Sequence, residues 1–372
     1  MELPTSPDVV ATGKTWIESA ALEQLRQVAG LPGMVRVVGM PDLHPGAGSP
    51  VGAAFLSDGL IYPHLVGSDI GCGMALWDTG LPLRKVKLDR LERRLDLEAG
   101  TPGAASIHLP AEGASPTGHE DSLGTIGGGN HFAELVKVER VLEQSTLRSM
   151  GADPGNAWLL VHSGSRGVGH AINRRHVAKW HAEGVEPDSD VGRSYLEAHD
   201  NAVRWASANR AVIAERFLAA LGSQGRRILD IAHNSVQPDA GAQGHWLNRK
   251  GAAPTDSGPV VIPGSRGDLS FLVTPAGSGD RNLSSLAHGA GRKWARSEAK
   301  GKLGGKADPK ALRRTRFGSR VICDDKALLF EEAPQAYKPA ADVIAALVEA
   351  GMATVIAETS PLLTYKTRRD RR

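Results

Sequence analysis

Apolar and polar residues alternate along this chain in short blocks, and the spacing within each block separates helices from strands. Trp16, Ile17, Leu22, Leu25 and Val28 fall at near-helical intervals, which predicts a helix over residues 14–28 stopped by Gly30 and Pro32. The longest such pattern covers residues 191–221. There Tyr195, Leu196, Ala202, Val203, Ala206, Ile213, Phe217 and Leu221 share one side, and Gly222 is the stop. Helices are also expected over 81–97, 284–300 and 340–349, the last capped by Gly351. Short apolar runs predict strands at 34–40, 51–55, 60–66, 158–161, 228–231, 260–262, 271–273 and 362–365. Residues 98–120, rich in Gly, Pro, Ser and Ala, read as a long loop or insertion, and 302–316 as basic, irregular chain. Nearly every strand runs into a polar loop, with helices interleaved. That predicts one α+β domain over 1–372 whose short strands converge on a central cleft, with a helical lead-in at 1–33 and a basic tail at 367–372.

A chain of 372 residues and 39.3 kDa is long enough to bury a large core. Cys72 and Cys323 are the only cysteines, so a disulfide framework is excluded and a reducing, cytoplasmic setting is expected. The first residues lack a signal-peptide pattern, no apolar run is long enough to cross a bilayer, and no membrane partner is expected. The net charge of +3 does not by itself point to nucleic acid. Its positive residues are nonetheless clustered at Arg174-Arg175, at Arg292-Lys293 with Arg296, at Arg313-Arg314 with Arg316, and from Lys366 to Arg372.

The turn Gly67-Ser-Asp-Ile-Gly-Cys-Gly73 puts a carboxylate and a thiol three residues apart on a glycine-broken backbone. An isolated pair of this kind is most simply a turn aspartate and a small buried cysteine. Three histidines change the balance: His131, His162 and His233 each sit in a Gly- or Asn-marked loop at an apolar run. One Asp, one Cys and three His would suit two cations bridged by a thiolate, an arrangement that clamps phosphoryl oxygens. Gly127-Gly-Gly129, Pro263-Gly-Ser265 and Gly289-Ala-Gly291 each offer backbone amides to an anion, or are simply turns. His288, beside the last of these and near Arg292 and Arg296, has two even readings: a nucleophile toward phosphorus, or a helix N-terminal residue bonded to its own turn.

Taken together, the motifs are similar to a known family. Pro41-Asp-Leu-His44, Gly67-Ser-Asp-Ile-Gly-Cys-Gly-Met74, Leu123-Gly-Thr-Ile-Gly-Gly-Gly-Asn-His-Phe132, His162-Ser-Gly-Ser-Arg-Gly167 and His233-Asn234 occur in the order of the RtcB RNA ligases. So do Ile262-Pro-Gly-Ser265, His288-Gly-Ala-Gly-Arg292, Glu332-Ala-Pro-Gln-Ala-Tyr-Lys338 and Lys366. The resemblance spans residues 41–366. It implies an RtcB-like fold and a ligase dependent on GTP and two Mn²⁺ ions, joining RNA 3′-phosphate or 2′,3′-cyclic phosphate ends to 5′-hydroxyl ends. It implies one ion on Asp69, Cys72 and His131, a second on Cys72, His162 and His233, and guanylylation of His288. The guanylate would be held by Asn130, His131, Phe132, Ala133, Glu134, His233, Asn234, Pro263, Gly264, Ser265, Arg266, Ser270, His288, Gly289, Ala290, Gly291 and Lys366, with Lys366 on the base. Asp42 is expected to help open the cyclic phosphate or orient the hydroxyl, and Arg166, Arg292 and Arg296 to contact phosphate.

The chain departs from the common pattern at Arg266 and Asp268 and in its Arg-rich tail. With Trp294, Gly39-Met-Pro-Asp-Leu-His44 and Leu362-Leu-Thr-Tyr-Lys366, it looks like the branch coupled to the release-factor homologue PrfH, which implies repair of cleaved RNA, ribosomal RNA included. Two rival readings fit the same residues: a metal phosphoesterase that forms no nucleotide adduct, and a non-catalytic RNA-binding factor.

Overall fold

The structure is a computed structural model that describes residues 6–180, 182–304 and 308–368. A two-residue strand β1 (Asp8–Val9) and helix α1 (Ser19–Ala29) are followed by β2 (Met34–His44) and β3 (Val51–Asp58). One helical turn, α2 (Pro63–Val66), leads to β4 (Gly73–Pro82), then α3 (Leu88–Arg94), α4 (Ala104–Ala111) and β5 (Phe132–Val141). After α5 (Gln144–Ser149) come β6 (Asn156–Ser163), α6 (Gly167–Trp180) and the long α7 (Asp190–Leu221). A run of strands follows: β7 (Arg226–Ala232), β8 (Asn234–Pro238), β9 (His245–Lys250), β10 (Ala252–Pro254), β11 (Val260–Ile262), β12 (Ser270–Pro275) and β13 (Ser285–Ala287). The described chain closes with α8 (Arg296–Leu303), β14 (Arg320–Cys323), α9 (Lys326–Glu331), α10 (Ala340–Glu349) and β15 (Ala353–Thr367).

These strands form an α+β domain with two main sheets. The larger has the order β11-β12-β15-β5-β6-β4-β7 with β14 beside β15, and is antiparallel except for that last pair. The smaller has the order β1-β2-β3-β9-β8. Side chains alternate across the larger sheet with period two. Ala75, Trp77, Ala133, Leu159 and Val161 face one way and pack on Ile213, Phe217 and Leu221 of α7. Met74, Leu76, Trp158 and Leu160 face the other way, and by the same alternation so do Cys72 and His162. The apolar stripe predicted for residues 191–221 therefore covers one face of the sheet, while the opposite face buries a second apolar cluster and carries the site at one end.

Several elements differ from the sequence reading, each for a local reason. The first helix begins at Ser19, and Trp16 lies outside it, 47% exposed. Residues 60–66 are not a strand. Pro63 has no amide proton to give a ladder and starts α2 instead, while Ile61 makes only a single bridge to Val185. The helix expected at 81–97 forms only as α3. Within 98–120, the helix-forming run of α4 lies behind Gly103 and buries Ala104 and Leu109 against α7, so this stretch is no simple insertion. The helix expected from residue 284 starts at Arg296: residues 285–287 pair with β10, and Gly291 sits at φ +71°. The short strand expected at 362–365 is part of the 15-residue β15, whose register shifts near Pro361. Arg368 is buried, with its guanidinium on the carbonyls of Leu95 and Glu92, whereas residues 369–372 of the basic tail, like 1–5 of the lead-in, lie outside the described residues.

Candidate metal and nucleotide site

Four neighbouring strands bring the ligand-type residues into line. In the order β5-β6-β4-β7, Gly73 pairs with Ser163 and with Ala232, while Phe132 and Met74 both pair with His162. His131 just before β5, Cys72 just before β4, His162 near the end of β6 and His233 just after β7 thus reach the same end of the sheet. His233 is also the single residue between the two main sheets, since β8 belongs to the smaller one.

The side chains meet there. Cys72 Sγ lies 3.4 Å from His131 Nε2 and 3.2 Å from His162 Nε2, and His162 Nε2 lies 3.3 Å from His233 Nε2. Asp69 Oδ2 is 2.8 Å from His131 Nε2. Donor atoms of Asp69, Cys72 and His131 all lie within 4.8 Å of one another, as do those of Cys72, His162 and His233. Cys72 is common to both groups. Burial, followed by neighbouring imidazoles, holds His162 and His233 well below the usual histidine range, so both rings are neutral and keep a lone pair. His162 Nδ1 faces the Asn130 carbonyl oxygen at 3.3 Å, which puts the ring proton there and leaves Nε2 free to bind a cation. Burial would raise the Asp69 carboxyl, but His131, a hydrogen bond to Cys72 and Arg166 bring it down to about 2. Burial, and then Asp69, push the Cys72 thiol up, so a cation binding there must displace its proton. Carboxylate, sulfur and imidazole donors in two groups sharing one sulfur fit a pair of divalent transition metals.

Polar residues of α7, read above only for its apolar stripe, hold this geometry. Arg210 Nη1 donates to the carbonyls of Gly71 and Ser163 at 2.8 and 2.9 Å, fixing the backbone beside Cys72 and beside His162, and its Nε pairs with Asp230 at 2.6 Å. Asn209 binds Gly124, Thr125, Ser163 and Gly164. The available signal was a pair of polar residues at stripe positions, between Ala206 and Ile213. Gly164 is required as well, because a Cβ there would lie 2.1 Å from Asp69 Oδ1.

A cleft of about 780 Å³ opens over these residues. His288 stands in it, with its ring 4.8 Å from that of His233 and its Nδ1 2.6 Å from Asp42 Oδ2. This contact is close but not linear enough for a full hydrogen bond, whereas the His288 amide donates to the same oxygen at 3.2 Å. Asp42 is completely buried and lies behind His288, not among the residues facing the cleft. Lys338 Nζ donates to the carbonyls of Pro41 and Leu43 at 2.9 and 2.8 Å and so fixes the backbone on either side of Asp42. Gly291 presses against that backbone, where a Cβ would meet the Asp42 oxygen at 2.2 Å. Since α8 starts only at Arg296, Gly289-Ala-Gly291 is a bend and no helix N-terminus.

The rest of the expected nucleotide set divides. Asn130, Phe132, Glu134, His233, Asn234, Pro263, Gly264, Ser265, Arg266, Gly289, Ala290, Gly291 and Lys366 line the cleft. Ala133 does not: alternation turns its side chain onto the α7 face. Ser270 acts indirectly, its Oγ accepting from the Gly264 amide at 3.1 Å, so that amide is not free for an anion. Gly127 and Gly129 make room for guanidinium groups, since a Cβ at either would run into Arg166 or Arg296. Arg166 lies beside His131, with Nη1 3.5 Å from Nδ1, and is not on the cleft wall.

Arg292 and Arg296 line the cleft but converge on Glu332, at 3.1 and 2.9 Å. Lys366 Nζ at 3.3 Å and the Tyr337 hydroxyl at 2.5 Å complete the cluster. Burial alone would raise the Glu332 carboxyl, but Lys366, Arg296 and Arg292 bring it to about 2. Glu332 was legible only as the first residue of a quoted motif. A buried carboxylate with three cationic partners leaves an uncompensated cluster when it is removed. Glu332→Gln is therefore expected to cost about 3–5 kcal/mol at pH 7. A carboxyl held below its ordinary value of 4.5 stabilises the fold above that pH and loses the effect as pH falls towards 2. The same variant should thus flatten the acid limb of a plot of melting temperature against pH, and an unchanged limb would remove Glu332 from this role.

The sequence matches the model of the RtcB family, described as tRNA-splicing ligase RtcB, over residues 24–110 and 110–367. The chain belongs to the RtcB family. It is similar to an RNA-splicing ligase RtcB2 of Escherichia coli, 48% identical over 96% of this chain and 94% of that protein. It is 29% identical to the RNA-splicing ligase RtcB of Escherichia coli K12, over 89% of this chain and 90% of that one. The tRNA-splicing ligase RtcB of Archaeoglobus fulgidus is also 29% identical, over 93% and 91%. No helix among the described residues is long and apolar enough to cross a membrane. In this RtcB-family chain the shared cysteine, His162, His233 and His288 line one cleft, whereas His131 adjoins Cys72 without lining it.

Proposed function

We propose that the protein is a GTP- and manganese-dependent RNA ligase that joins 3′-phosphate or 2′,3′-cyclic phosphate ends to 5′-hydroxyl ends through guanylylated His288. The observation that carries this reading is the placement of His288: its ring contacts His233 on one side and Asp42 on the other, in the cleft that holds the cysteine shared by both donor groups. Asp69, Cys72 and His131 would hold one Mn²⁺, and Cys72, His162 and His233 the second. When bound, the ions supply positive charge that neutralises phosphoryl oxygens.

With Asp42 beside Nδ1, the lone pair of His288 is left on Nε2 for attack at the α-phosphorus of GTP. An N–P bond forms, the bond to the β-phosphate oxygen breaks, and pyrophosphate leaves. An oxygen of the RNA 3′-phosphate then takes the guanylate from the histidine. Attack by the 5′-hydroxyl on the activated RNA phosphorus releases GMP and passes its proton to solvent. The guanylate solves a real chemical problem, because a terminal phosphate dianion repels nucleophiles and has no good leaving group. Cyclic ends must first be opened by water to the 3′-phosphate. Asp42, buried behind the histidine, serves His288 rather than the hydroxyl in this reading.

Glu134 and Lys366 favour guanine. Both line the cleft, and burial raises the Glu134 carboxyl to about 7 against the opposing effects of Thr364 and Lys366. Guanine carries an amino donor and an O6 acceptor that such a pair can read. The likeness of Trp294, Gly39-Met-Pro-Asp-Leu-His44 and Leu362-Leu-Thr-Tyr-Lys366 to the PrfH-coupled branch is the basis on which we place the protein in RNA repair in the cytoplasm, with ribosomal RNA as a substrate and a functional tie to PrfH.

The test is incubation with α-labelled GTP and Mn²⁺. An acid-labile label should appear on the protein, be absent from His288→Ala, and leave when an RNA 3′-phosphate is added. Phosphate release without label would instead favour a phosphoesterase, and a label of wild-type strength in His288→Ala would exclude this nucleophile.

A further inference from the structure

The exposed side of α6 lies outside everything assigned above. In its fourteen residues α6 carries no Asp or Glu, while His170, Arg174, Arg175 and Lys179 are exposed. Among the described residues, neither Arg174 nor Arg175 has an ion-pair partner. His170, Asn173, Arg174 and Val177 recur at the spacing of one helix face, and with Ser68 they enclose a groove of about 410 Å³. Ser68 also lines the main cleft, on the turn that carries Asp69. Groove and cleft therefore share a wall.

Sequence explains the close approach. Gly169 stands at the start of α6, where a Cβ would lie 2.8 Å from both the Ile70 amide and the Ser68 carbonyl oxygen. Any larger residue would push the helix off the metal turn. The shared wall is also at the opposite end of the row from His288: contacts run from Asp69 through His131, Cys72, His162 and His233 to His288. On the nucleotide side, Arg292 and Arg296 are held by Glu332, whereas Arg174 and Arg175 of α6 have no ion-pair partner among the described residues.

We infer that the Arg174–Arg175 face of α6 is the track along which the phosphate backbone of a single-stranded RNA leaves the cleft past Asp69. This rests on the RNA-ligase reading, which requires an RNA end in the cleft and the rest of its strand outside. Exposed guanidinium groups without ion-pair partners, on a helix that carries no acid, suit a polyanion whose contacts position it without reading sequence. Asn173 and Ser68 add neutral donors where the groove joins the cleft.

The experiment compares the full chain with the double variant Arg174→Gln/Arg175→Gln, using fluorescence anisotropy with a single-stranded RNA ending in a 3′-phosphate over a salt series. Two lost phosphate contacts should weaken binding about tenfold and reduce the slope of log affinity against log salt by about 1.4. Labelling of His288 by GTP should be unchanged, because neither arginine touches that end of the cleft. RNA affinity and slope equal to the parent would overturn the track. An equal loss of binding to polyglutamate, with RNA joining unaffected, would also overturn it by showing a general anion patch. Failure of the parent to label with GTP, while the slope change persists, would count against the ligase chemistry and leave the track in place.

Discussion

Cys72→Ala should abolish guanylylation and weaken manganese binding at both positions by more than about 10- to 100-fold, the loss expected when only a supporting group is removed. The two donor groups have one atom in common, and it is this sulfur. Its loss leaves one group with Asp69 and His131 and the other with His162 and His233. The substitution is small, at a nearly buried position beside Gly71 and Gly73, and the backbone there is held independently by Arg210 through the Gly71 carbonyl. The protein should therefore fold, and isothermal titration with Mn²⁺ should report the loss apart from any change in melting temperature. Retention of two sites of parental affinity would mean that Cys72 is only a buried hydrophobe.

Asp42→Asn should slow formation of the His288 adduct by a factor on the order of 10³, with manganese affinity unchanged. The comparison is with an aspartate that orients a catalytic histidine, where the neutral isostere costs about 10⁴. Asp42 Oδ2 meets both the ring and the amide of His288, and attack on phosphorus makes that ring positive. An amide keeps the shape but neither fixes the tautomer nor balances the charge. Lys338 holds the neighbouring carbonyls and not the carboxylate, so the loop should stay in place. Single-turnover labelling measures the rate directly. A rate within a few-fold of the parent would reduce Asp42 to a structural role.

Much of the site was legible because its residues are punctuated. Asp69, Cys72, His131, His162 and His233 each sit at a glycine- or Asn-marked strand end, and strand ends are where side chains leave the ladder. The register that aligns them was not legible: it depends on pairing between strands far apart in sequence, and β5, β8 and β9 carry too few uninterrupted apolar residues to announce themselves, while the run Met74–Trp77 of β4 was passed over behind the glycine turn. β15 was hidden by Pro361 and by polar residues that face partners instead of water, such as Thr364 on Glu134. The helix expected near His288 failed because a run containing Gly289 and Gly291 can satisfy helical periodicity without being able to hold it. Arg210 and Glu332 were passed over for the same reason: a buried charge is recognisable only once its partners are known. Ala133 was included by adjacency to Phe132 and Glu134, and period-two alternation removes it.

The most direct measurement is anomalous diffraction at the manganese edge from crystals grown with Mn²⁺ and GTP. Two peaks are expected on either side of Cys72 Sγ, one with Asp69 and His131 and the other with His162 and His233, together with continuous density from His288 Nε2 to a guanylate phosphorus. A single peak, or peaks away from Cys72, with an unmodified His288 would contradict it.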